Sequence, residues 1–152
     1  MMETAIARAR VWQQWKEADQ LALLAAFEDS VTCTRVKEFC QSLARDLGAR
    51  CKIIQHVWPF STLRMRELQE IAAEEAAVAD LVIVASHQAD SLPEEVKGWI
   101  ERWLQHKAPR PAVLLALLDP VYQGAENPLR EYLRGVARRG GMEFMMDWDV
   151  GT

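Results

Sequence analysis

Between Ala79 and Leu104 the chain reads ADLVIVASHQADSLPEEVKGWIERWL, a wholly apolar run joined by a short polar turn to a segment with helical patterning. Leu81 to Ala85 is short, rich in β-branched residues and free of polar side chains, so neither of its faces suits water. Such a strand belongs in the middle of a sheet covered on both sides, which is the condition of parallel α/β sheets. The turn that follows holds Ser86, His87 and Gln88, and Pro93 stands in the first turn of the next helix with Glu94 and Glu95 behind it. Proline is tolerated there, and carboxylates favour the positive end of the helix dipole. Val96, Trp99, Ile100, Trp103 and Leu104 recur at helical spacing and supply the stripe that packs back on the strand.

The rest of the chain repeats this alternation. Leu21 to Phe27 is continuously apolar and reads as a second strand buried on both faces, ending at Glu28, Asp29 and Ser30. Val36, Phe39, Cys40, Leu43, Ala44 and Leu47 then mark one face of a helix that Gly48 stops. Cys51 to Val57 is a shorter, more polar strand, as an edge position explains, and Ser61 or Thr62 is expected to cap a helix running to about Ala79. Pro111 to Leu118 is another strand, followed by a polar loop over residues 119–127. Pro128 opens a helix with Leu129, Tyr132, Leu133, Val136 and Ala137 on its inner face, Gly140 and Gly141 end it, and Met142 to Trp148 is the last strand.

Five strands alternating with four helices predict an α/β fold, a three-layer α/β/α sandwich on a five-stranded parallel sheet of order 2-1-3-4-5. Residues 20–152 form that single domain, and residues 1–19 are an N-terminal extension. If helical, the extension gathers Ile6, Val11, Trp12 and Trp15 into an apolar stripe, which is expected to pack on the domain or on a second copy in a homodimer.

Charge and patterning narrow the functional classes. A net charge of −4 is opposite in sign to what binding a phosphate backbone needs, so nucleic acid is not an expected partner. Arg130, Arg134, Arg138 and Arg139 share a helix and read as a solvated face. No apolar run reaches the roughly 18 to 20 residues of a membrane span, and the first residues lack the apolar centre of a secretory signal, so a cytoplasmic location is expected. The three cysteines match no zinc or C-x-x-C spacing and are expected to be reduced thiols, with Cys33 and Cys40 on one helix face for packing. No metal site is expected.

Ala79-Asp80 before an apolar strand, then Leu92-Pro93, Val96-Lys97, Trp99-Ile100 and Trp103-Leu104, resemble the flavodoxin-like superfamily, nearest to its NADPH-dependent FMN reductase and quinone reductase branch. An uncharacterised bacterial family of the same fold is the other match. The resemblance implies FMN, or another small phosphate-bearing ligand, at the carboxyl edge of the sheet. It implies in turn an NAD(P)H-dependent flavin or quinone oxidoreductase. The phosphate is then expected on Ser30, Thr32 and Thr34, where hydroxyls meet a helix N-terminus. The ring is expected between the turn of Ser86, His87 and Gln88 and the loop that carries Tyr122. Two carboxylates, Glu28 and Asp29, stand immediately before the hydroxyls and repel a dianion, and Asp29 or Ser30 equally suits a plain helix cap.

Other chemistry is weighed on the same edge. The acid pair Glu28 and Asp29 is similar to that of receiver domains, but Ser86 and His87 stand where a receiver's phosphoacceptor aspartate ends the third strand. His87 faces the edge that also receives Glu28, Asp29 and Asp119, so a carboxylate can raise its pKa or orient it as a base. Ser86 lacks the G-x-S-x-G turn of an exposed nucleophile. Trp58 and Phe60 flank Pro59 at the ligand edge and suit either core or a partner surface. The alternative to an oxidoreductase is therefore a cofactor-free regulatory or protein-interaction module on the same fold.

Overall fold

The computed structural model describes residues 11–87, 91–119 and 127–146. A helix, α1, runs over residues 11–17. It is followed by β1 (Gln20–Phe27), α2 (Ser30–Leu47), β2 (Lys52–Pro59), a 3₁₀ turn (Phe60–Arg64), α3 (Arg66–Ala77), β3 (Leu81–Ser86), α4 (Glu94–Gln105), β4 (Val113–Leu118), α5 (Pro128–Arg139) and β5 (Glu143–Met146). The five strands form one sheet in the order β2-β1-β3-β4-β5, and every pairing is parallel. This is the predicted flavodoxin-like order.

All six residues of β3 and all six of β4 are buried, which two-sided cover explains. On one face Val82, Val84, Leu114 and Ala116 meet the alanine stripe of α3, Trp99 and Trp103 of α4, and Leu133 and Val136 of α5. On the other, Leu23, Ile83 and Leu115 meet Val36, Cys40, Leu43 and Leu47 of α2. Crossovers of one hand require this division: the step from β1 to β2 runs one way along the sheet, and the three later steps run the other. One crossover helix is thus left to cover a face that three cover opposite.

The N-terminal extension supplies what is missing. Val11 is buried in the α2-side core, with Trp12 and Trp15 packed against it and their ring centroids 6.2 Å apart. Of the two expected docking places for this stripe, the structure shows the chain's own sheet. Ile6 lies outside the described residues.

Asp80 closes the opposite edge of the sheet from the strands' carboxyl ends. Its Oδ2 accepts from the Ala22 N–H at 2.9 Å and its Oδ1 from Arg110 at 2.7 Å, while its backbone bonds Ala22 and Val113. The residue therefore ties β1, β3 and β4 together where β3 begins. Gly48, past the end of α2, has φ 80° and returns its N–H to the Ala44 carbonyl, the conformation that favours glycine.

Two local expectations need correction. The helix expected to start at Ser61 or Thr62 is preceded by the 3₁₀ turn and starts at Arg66, and the Thr62 hydroxyl donates instead to the Pro59 carbonyl. Pro93 is the residue before α4, not within its first turn, so Glu94 and Glu95 open the helix. Phe60 is buried and Trp58 packs on the same cluster, its indole N–H donating to Glu75 at 2.7 Å, so both belong to the core. Among the described residues no helix is long and apolar enough to cross a membrane.

Replacing Trp12 and Trp15 together by alanine uncovers the face that α1 protects. The variant is expected to lose about 2 to 4 kcal/mol of stability in urea unfolding, from the apolar area exposed. An unchanged midpoint contradicts this role for α1.

Candidate functional site at the carboxyl edge

Parallel strands end on one edge, and the residues that follow β1, β3 and β4 meet there. Glu28 extends the β1–β3 ladder by one bond, its N–H donating to the Ala85 carbonyl at 3.2 Å. Its carboxylate Oε1 then accepts from the Ser86 hydroxyl at 2.8 Å and from the His87 N–H at 2.9 Å. The backbone at the end of β3 is thereby held to the end of β1.

Asp29 caps α2. Its Oδ1 accepts from the Thr32 N–H at 3.0 Å, and the Thr32 hydroxyl accepts from the N–H groups of Glu28 at 3.0 Å and Asp29 at 2.9 Å. The same hydroxyl donates back to Asp29, with the carbonyl at 3.0 Å and Oδ1 at 3.1 Å. A hydroxyl offers one donor and two acceptor positions, so that of Thr32, fully buried, is saturated. Thr34 is exposed and its hydroxyl donates to the Ser30 carbonyl at 3.0 Å, while Ser30 is the exposed first residue of the helix.

The imidazole of His87 lies between two carboxylates. Nδ1 is 2.8 Å from Asp119 Oδ1, and Nε2 is 3.2 Å from Asp29 Oδ1. Neutral imidazole carries one N–H, so only the imidazolium donates to both. The hydrogen bond to Asp119, aided by the charges of Asp119, Asp29 and Glu28, holds the His87 pKa above its ordinary value against the opposing effect of burial. The Thr32 N–H holds Asp29 below the ordinary carboxylate value, with His87 contributing further. Arg35, one turn into α2, completes the group, with one guanidinium nitrogen donating to the Leu118 carbonyl at 2.9 Å and the other 3.8 Å from Asp119.

Of the expected site residues, the structure brings Thr32, Ser86 and His87 to this edge together with Glu28, Asp29 and Asp119. Ser30 and Thr34 lie on the exposed side of the first helical turns. Gln88 and Tyr122 fall outside the described residues. Arg35 went unremarked in the sequence, although it follows Thr32 by three residues and so shares its face of the helix.

These contacts define what the edge can do chemically. The Ser86 hydroxyl is given to Glu28 and both ring nitrogens of His87 face carboxylates, so serine and histidine do not form a nucleophile–base pair. An FMN phosphate at the start of α2 would meet the Asp29 carboxylate and a committed Thr32 hydroxyl. The N-terminus of α2 already holds the Asp29 carboxylate, and the one buried hydroxyl in the loop has no position left for a ligand oxygen. Among the described residues no group of three or more histidine, cysteine or acidic side chains is disposed to hold a metal ion. Cys33, Cys40 and Cys51 are free, and burial pushes the Cys40 thiol up to about 11, as befits packing.

A cavity of about 490 Å³ lies at the other end of the sheet, lined by Val11, Gln14, Arg110, Pro111, Gly141 and Glu143. It borders the start of β4 and β5, away from His87. Comparison of the chain with protein-family models, curated proteins and solved structures finds no match.

Replacing Thr32 by valine keeps the shape of the side chain, takes the acceptor from the Asp29 N–H and leaves the Glu28 N–H only its bond to the Ala85 carbonyl. An unsatisfied buried group costs about 1 to 3 kcal/mol, so a loss of at least about 1 kcal/mol is expected on chemical denaturation. A loss below about 0.5 kcal/mol contradicts the role of the hydroxyl in closing the loop.

Proposed function

We propose that this chain is a cofactor-free regulatory or protein-interaction module that works through the carboxyl edge of a flavodoxin-like sheet. One observation carries the reading: the place where a phosphate meets the first helix N-terminus of such a sheet is filled by the chain's own Asp29 carboxylate, locked by Thr32. The FMN-dependent oxidoreductase that the resemblance implies requires a dianion at that spot. It would face Glu28 and Asp29 at short range, with Thr32 unable to turn toward it.

The charge at the edge supports the same reading. Among the described residues, Glu28, Asp29 and Asp119 stand at this edge against His87 and Arg35, so carboxylates outnumber the basic groups. A surface of that sign favours macromolecular partners of opposite charge and disfavours nucleotides. A cytoplasmic location accords with the free cysteines.

Titration with FMN, read by flavin fluorescence, tests this directly. The protein is expected to purify colourless and to leave the fluorescence of added FMN unchanged up to millimolar ligand. Asp29→Ser, which keeps a capping oxygen and removes the charge, is expected to be the first variant to gain affinity. Saturable quenching by the unaltered protein overturns the reading.

A further inference from the structure

We propose that His87 is a proton-operated latch that, as an imidazolium, ties the Asp29 side chain at the cap of α2 to the end of β4 and, on losing its proton, releases that side chain. The geometry rests on three strand ends: the ring belongs to the residue after β3, the central one of the three, and reaches Asp29 after β1 on one side and Asp119 after β4 on the other. A neutral ring keeps one N–H. The shorter contact, 2.8 Å to Asp119, retains it, which leaves a lone pair on Nε2 facing the Asp29 carboxylate across 3.2 Å. That contact turns from attraction to repulsion.

The surroundings make the change local. The charged groups on the ring are Glu28 and Asp29 from the β1–α2 turn and Asp119 from the end of β4, with Arg35 of α2 behind Asp119. Glu28 holds the His87 backbone N–H and the Ser86 hydroxyl, neither of which involves the ring, so β3 stays in register. Arg35 stays on the Leu118 carbonyl, so β4 stays joined to α2. Only the link between Asp29 and the ring depends on the proton. Its loss removes one of two cations set against three carboxylates at this edge.

The pKa of His87 is raised in the folded chain, so the latch contributes fully below the ordinary histidine value and is lost as pH rises through the raised one. Asp29 is depressed, so its share is present above the ordinary carboxylate value and is lost as pH falls through the depressed one. The latch is closed between those limits. It stands on this geometry whatever partner the edge meets.

Nitrogen-15 NMR of the full chain, labelled at histidine and the backbone, tests the proposal between about pH 5 and pH 10. Both ring nitrogens of His87 are expected to be protonated at neutral pH. Amide exchange at Asp29 and Thr32, corrected for its intrinsic pH dependence, is expected to rise several-fold as that signal titrates. His87→Gln is expected to lack the step. A single protonated ring nitrogen at neutral pH, exchange that ignores the titration, or a step that persists in His87→Gln each overturns the latch.

Discussion

The structure depends on two strands that have no exposed face. β3 and β4 are buried along their whole length and lie side by side in parallel, so helices must cover both surfaces. The hand of the crossovers then divides those helices one against three, and the imbalance gives the N-terminal segment its place. Trp12 and Trp15 sit on the under-covered face because the order of the sheet leaves it short of a helix. The same parallel arrangement delivers Glu28, Ser86, His87 and Asp119 to one edge.

That edge is organised as a closed set of contacts. A helix N-terminus presents unpaired N–H groups that attract an anion, whether a ligand or a side chain. Here Asp29 serves, and Thr32 locks the choice by spending every position of its hydroxyl on the adjacent backbone. Capping and ligand binding compete for the same donors, and the acid pair before the helix favours capping. The outcome is a surface built from carboxylates with the His87 imidazole between two of them.

Much of the fold was legible because its strongest signals are periodic or continuous. Leu21 to Phe27, Leu81 to Ala85 and Pro111 to Leu118 are unbroken apolar runs between polar turns, and their number and alternation with helical stripes give the parallel order. The 3₁₀ turn at Phe60–Arg64 was not legible, since Ser61 and Thr62 carry the chemistry of a cap and only the burial of Phe60 and Leu63 commits the segment to a tighter turn. The gathering of Glu28, Asp29, His87 and Asp119 follows from where the strands stop. What each group bonds does not: Thr32 reads equally as a phosphate ligand or a cap, and the distinction lies in distances that composition does not encode. The role of Arg35 is not legible in the sequence because its partners lie at the end of β4, far along the chain.

A double-mutant cycle between Asp29→Asn and Asp119→Asn reports most directly on the central claim, that one imidazolium couples two carboxylates brought together by parallel strand ends. Asparagine preserves the cap and the size of each side chain while removing its charge. Urea unfolding near pH 6 is predicted to show a coupling above about 0.5 kcal/mol that disappears once His87 is neutral. Additive effects at both pH values would contradict the account.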